Sequence, residues 1–73
     1  MPFQSILYNK DDHITWITMN RPQSMNALNR SLWHELHQAL EMAEKDEDVN
    51  VIAITGTGRA FSAGDDIKDV ASL

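Results

Sequence analysis

The run Val51-Ile52-Ala53-Ile54-Thr55, with no charge in it, most constrains how this chain can fold. A short continuous apolar run is the pattern of a parallel strand buried on both faces, because a half-solvated antiparallel strand alternates instead. It runs into Gly56-Thr57-Gly58, turn chemistry that ends the strand. Small residues and a third glycine follow in Ala60-Phe61-Ser62-Ala63-Gly64. Asp65-Asp66-Ile67-Lys68-Asp69-Val70 then reads as an Asp-rich helical turn, with Asp66 a suitable N-cap. A strand, small residues and a helix N-terminus in that order can turn free backbone N–H groups toward an anion.

A parallel strand needs a partner and a crossover. Ile6-Leu7-Tyr8 and residues 13–19 are two β-type runs, and Asn9-Lys10-Asp11-Asp12 between them predicts a hairpin turn. Ile14 and Trp16 share one face of the second run, Ile17 and Met19 the other, so cover is expected on both sides. Asn20-Arg21-Pro22-Gln23-Ser24 ends that strand. Pro22 fixes its own φ and biases Arg21 toward extended geometry. The segment is a plain strand stop or a loop that touches a ligand.

Asn29 is the expected N-cap of a helix reaching about Lys45. Leu32, Leu36, Ala39, Leu40 and Ala43 recur at three- and four-residue steps as its buried stripe. Glu35, Gln38, Glu41 and Lys45 are expected outward, with Glu41 and Lys45 able to pair. Asp46-Glu47-Asp48 stop the helix, since its C-terminal dipole disfavours them. Strand, helix and strand then suit a right-handed crossover.

Several functions are excluded. A net charge of -5 lacks the basic stripe that nucleic acid requires. No apolar run approaches the roughly 20 residues of a membrane span. The start has no basic segment followed by an apolar core, so no signal peptide is expected and a cytoplasmic location is. A dinucleotide fingerprint starting at Gly56 and Gly58 needs a glycine where Phe61 stands, and a P-loop needs Lys-Ser/Thr after its glycines. His34-Glu35-Leu36-His37 spaces its histidines by three where the zinc helix needs four, with no third ligand evident. Trp16 and Trp33 are expected as core or interface aromatics. With 73 residues and no cysteine, burial and ordering nearly cancel, so a partner or further chain is expected to supply stability.

Taken together, Asn20-Arg21-Pro22, Met25-Asn26-Ala27-Leu28-Asn29 and Phe61-Ser62-Ala63-Gly64-Asp65-Asp66-Ile67-Lys68 resemble the first part of the crotonase (enoyl-CoA hydratase/isomerase) superfamily. Order and spacing match from about Ile6 to Asp69. The resemblance implies an α/β fold, the N-terminal part of a crotonase-type ββα spiral: β-hairpin, helix, buried parallel strand and short helical turn. Residues 1–73 would form the N-terminal segment of an acyl-CoA-binding domain.

The resemblance also implies an activity on acyl-CoA thioesters, with an enolate-like oxyanion stabilised by two backbone N–H groups. Carried over by motif, Asp65 N–H is the first donor. The coenzyme A site falls on Arg21, Ala27, Ala63, Gly64, Asp65, Asp66, Ile67 and Lys68. Asp65 stands where the family commonly has a small residue, but the donor is main chain and survives the change. The second donor and the proton-moving glutamates lie further downstream in the family. No cofactor is implied, coenzyme A being part of the substrate, and a homo-oligomer (trimer or hexamer) is expected of the full-length protein. A non-catalytic interaction module, or a truncated product, built on the same start is the alternative.

Overall fold

The computed structural model describes residues 3–58, 61, 62 and 64. Strand β1 (Ile6–Asp11) pairs antiparallel with β2 (Ile14–Met19), and β3 (Val51–Gly56) pairs parallel with β2, so β2 lies centrally. Helix α1 (Arg30–Lys45) forms the crossover between β2 and β3. Asn9, Lys10 and Asp11 are strand residues, contrary to the expected four-residue turn. Asp11 pairs with Ile14, which leaves only Asp12 and His13 to turn the chain, with Asp12 at φ 57. A short polar side chain tolerates that left-handed conformation.

Alternation along β2 sorts its two faces. Thr15, Ile17 and Met19 point toward α1 and are buried, while Trp16 on the opposite face is 40% exposed. Ile6, Ile17, Met19, Leu32 and Ala39 form the core, with Phe3, Tyr8, Leu28, Leu36 and Leu40 packed around it. The helical stripe therefore lies where its period places it. Asn29 caps α1 through its side chain, which accepts from Leu32 N at 2.9 Å. Glu41 bonds back to His37 Nε2 at 2.8 Å, one turn earlier, where a pairing with Lys45 was expected.

Two further expectations are corrected. Strand β3 is parallel but not buried: Val51, Ile52 and Ile54 are 52%, 37% and 39% exposed. It occupies an edge of the described sheet, and α1 lies over β1 and β2. These three residues, Leu7, and both tryptophans thus face solvent among the described residues; Trp33 is 51% exposed. The second correction is Glu35, which is buried rather than outward. Its carboxylate turns inward onto the backbone of Gln4 and Ser5.

Candidate functional site at the strand exits

Because β2 and β3 are parallel, they end at the same edge of the sheet, with Met19 opposite Gly56. In open α/β sheets ligands collect outside the carboxyl ends of strands, where the outgoing loops meet. Here the outgoing segments are residues 20–29 and, among the described residues, 57, 58, 61, 62 and 64. The first begins with a 3₁₀ turn, Pro22–Ser24, with proline at its start. Met25 and Asn26 then both take left-handed conformations, at φ 50 and 55. That pair reverses the chain toward α1.

Asn26 is fully buried and joins both loops. Its Oδ1 accepts from Arg21 N at 2.7 Å, and its Nδ2 donates to Thr57 O at 2.8 Å. Its own N–H donates to Arg21 O at 2.8 Å. Thr57 returns the tie, its N–H donating to Met19 O at 2.9 Å and its hydroxyl to Asn20 Oδ1 at 3.2 Å. Gly58 lies against this loop at φ +79, and a Cβ there would sit 3.1 Å from Pro22 Cβ. Both its conformation and its close approach favour glycine.

The later motif closes onto the same loop. Ser62 Oγ donates to Asn26 O at 2.9 Å, Gly64 N donates to Ser62 Oγ at 3.1 Å, and Leu28 N donates to Gly64 O at 2.7 Å. Gly64 has φ +92, and a Cβ there meets nothing within 4 Å among the described residues. Backbone conformation, not crowding by those residues, is what requires glycine here.

Of the expected site residues, Arg21, Ala27 and Gly64 converge in this network. The Arg21 guanidinium bonds to Ala27 O and lies 3.4 Å from Ser24 Oγ. Ala63, Asp65, Asp66, Ile67 and Lys68 lie outside the described residues, as does the expected helical turn. Sequence reading assigned no role to Asn26, Thr57 or Ser62. The available signal was Asn26 itself, since asparagine is one of few non-glycine residues suited to a left-handed turn.

Elsewhere, a groove of about 590 Å³ runs between Phe3, Gln4 and the face of α1 carrying His34, Gln38 and Met42. It shares no lining residue with the two loops, and Glu35, Glu41 and Lys45 complete its lining. Among the described residues no three His, Cys, Asp or Glu side chains gather as a metal site. None of the described helices is long and apolar enough to cross a membrane.

Residues 9–73 match the family model for enoyl-CoA hydratase/isomerase. The chain is 42% identical over 73 residues to a probable enoyl-CoA hydratase of Mycobacterium tuberculosis, covering 100% of this chain and 28% of that protein. It is 36% identical over 70 residues to a trans-2-decenoyl-[acyl-carrier-protein] isomerase of Streptococcus mutans, covering 96% and 27%. An enoyl-CoA hydratase crystal structure from Geobacillus kaustophilus superposes with a TM-score of 0.93 at 38% identity, covering 100% and 28%. The chain thus spans between a quarter and a third of the length of these relatives.

Proposed function

The chain belongs to the enoyl-CoA hydratase/isomerase family, as an N-terminal portion of the crotonase fold, and on that footing we propose that it serves an enzyme acting on acyl-CoA thioesters. The reaction class is hydration or isomerisation of an enoyl thioester, through an enolate-like oxyanion held by backbone N–H groups. The observation that carries this reading is the bond from Leu28 N to Gly64 O, 2.7 Å long, which joins the first motif loop to the second. A preorganised backbone donor aimed at developing charge contributes about 3–4 kcal/mol to the transition state.

In this reading Asp65 N–H is the first donor, and Ala63 and Gly64 line the thioester path. Arg21 and Ala27 flank the pantetheine or phosphate end, Lys68 is assigned near the coenzyme A entrance, and Asp66 and Ile67 are assigned to the same coenzyme A site. The second donor and the proton-moving carboxylates come from chain beyond residue 73. A relative named for an acyl-carrier-protein substrate supports the pantetheine thioester as the shared recognition element. Assembly as a trimer or hexamer belongs to the same proposal.

The test is turnover of a short trans-2-enoyl-CoA by the full-length protein, followed as loss of the conjugated enoyl absorbance. Steady, saturable turnover supports the reading. Neither hydration nor isomerisation of any chain length, by folded protein, sinks it.

A further inference from the structure

We propose that Ser62 is a positioning residue: its single hydroxyl locks Gly64 to the Asn26 loop and so fixes the peptide unit that begins at the Gly64 carbonyl. This rests on the oxyanion reading above and adds to it a residue that touches neither substrate nor reacting atoms.

The direction of each bond is fixed by chemistry. Asn26 O can only accept, so the Ser62 hydroxyl proton goes there at 2.9 Å. Gly64 N–H can only donate, so it takes the Ser62 lone pair at 3.1 Å. One hydroxyl thus acts as donor and acceptor at once, and removing it leaves two backbone groups without that partner. The loop it anchors to is itself fixed, because Asn26 is buried and tied to Arg21 and Thr57 through its backbone and side chain. The opposite side of Gly64 is held from the same loop, by Leu28 N on Gly64 O.

Glycine at φ +92 is otherwise the residue with most freedom to move. Two anchors, one on its N–H and one on its C=O, remove that freedom. The Gly64 N–H is committed to Ser62 and is not available to an oxyanion. A trans peptide is planar, with its C=O and N–H opposed. By that planarity, an anchor on the Gly64 carbonyl bears on the amide that follows it, the donor of the proposed reading. A donor that is already aimed need not reorient during reaction, which is where such groups act most strongly.

The experiment compares Ser62→Ala and Ser62→Thr in the full-length protein, reading kcat and KM with a trans-2-enoyl-CoA and amide hydrogen exchange at Gly64 and Leu28. Ser62→Ala is expected to lower kcat by roughly tenfold to a hundredfold, with KM within about threefold. Gly64 exchange should rise at least about tenfold. Ser62→Thr keeps the hydroxyl and should restore both. Should the alanine variant fail to fold, Ser62→Cys, a weak donor of similar size, takes its place. Unchanged Gly64 exchange on loss of the hydroxyl overturns the relay whatever the activity does. Faster exchange with unchanged kcat in an active enzyme overturns the positioning role. A wild type that turns over no enoyl thioester overturns the functional reading and the catalytic consequence, and the exchange arm then decides the relay by itself.

Discussion

The Glu35 carboxylate holds the backbone N–H of Ser5 at 2.8 Å, across thirty residues of sequence. The same oxygen accepts from Gln4 N at 2.9 Å, and Ser31 Oγ reaches the other oxygen at 3.4 Å. Ser5 O in turn accepts from Asn20 N at 2.8 Å, where β2 ends. A side chain on the helix thus pins the start of the chain beside the exit of β2. Glu35→Ala strands the Ser5 amide and is expected to cost about 2–4 kcal/mol. Glu35→Gln keeps one oxygen and should cost less than half of that. Urea denaturation of the full-length protein measures both, and an alanine variant within about 0.5 kcal/mol of wild type would reject the clamp.

Thr15 is fully buried on the helix face of β2, and its Oγ1 has no hydrogen-bond partner among the described residues. Valine has nearly the same shape without the hydroxyl. Thr15→Val should therefore stabilise the fold by roughly 1 kcal/mol. A loss of stability would show that the hydroxyl has a partner.

These two residues mark what sequence reading could and could not reach. Apolar periodicity placed Leu32, Ala39 and Ala43 inward and the cap at Asn29, because both signals are local. The same periodicity placed Glu35 outward, since its reason for burial is a pair of amides thirty residues away. The apolar run of β3 reads what a strand is composed to face, and the described residues leave it at an edge. At the strand exits, three residues expected from motif order, Arg21, Ala27 and Gly64, share one hydrogen-bond network. Asn26 and Ser62 act through bonds of sequence separation 31 and 36, which no local pattern encodes.

Asn26 needs both ends of its amide. Oδ1 accepts from Arg21 N while Nδ2 donates to Thr57 O. Asn26→Asp preserves the first bond and sets a carboxylate oxygen against the Thr57 carbonyl. The expected loss is about 2–4 kcal/mol at neutral pH, partly recovered as acid protonates the new carboxyl and restores a donor. Thermal unfolding of the full-length variant across pH reads this. A variant whose deficit is the same at pH 4 and pH 7, by that scan, would contradict it.

Lys10 Nζ lies 2.8 Å from Asp46 Oδ2 and 3.6 Å from Asp48 Oδ2. The hydrogen bond to Asp46 raises the Lys10 pKa above its ordinary 10.5, and the same bond lowers that of Asp46 below 3.8. A depressed carboxylate contributes stability above its ordinary value and loses it as pH falls through the folded one. A raised lysine contributes below its ordinary value and loses it as pH rises through the folded one. The advantage of wild type over Lys10→Met should therefore be flat between about pH 5 and 9 and shrink on both sides. Both groups meet solvent, so the effect is small and should fade in about 1 M salt. An advantage that grows toward acid reverses the assigned sign.

A peptide comprising residues 1–73 alone should not turn over an enoyl-CoA. Its described sheet leaves Val51, Ile52 and Ile54 exposed on β3, and it should unfold over a broad range without a sharp transition. Chemistry fails for a separate reason. The proposed donor at Asp65 is one of two, and losing one donor typically costs about 10²–10³ in rate. General acid–base groups supply another ~10²–10⁴. In the motif segment the nearby carboxylates are those of Asp65, Asp66 and Asp69, within five residues of sequence. The combined deficit, roughly 10⁴ or more, places turnover below ordinary detection. The comparison is hydration of a short trans-2-enoyl-CoA by the peptide and by the full-length protein, per mole of site. Equal rates would mean that a complete two-donor site and a proton-transfer group both lie within these 73 residues, and would overturn the division of the catalytic machinery proposed above.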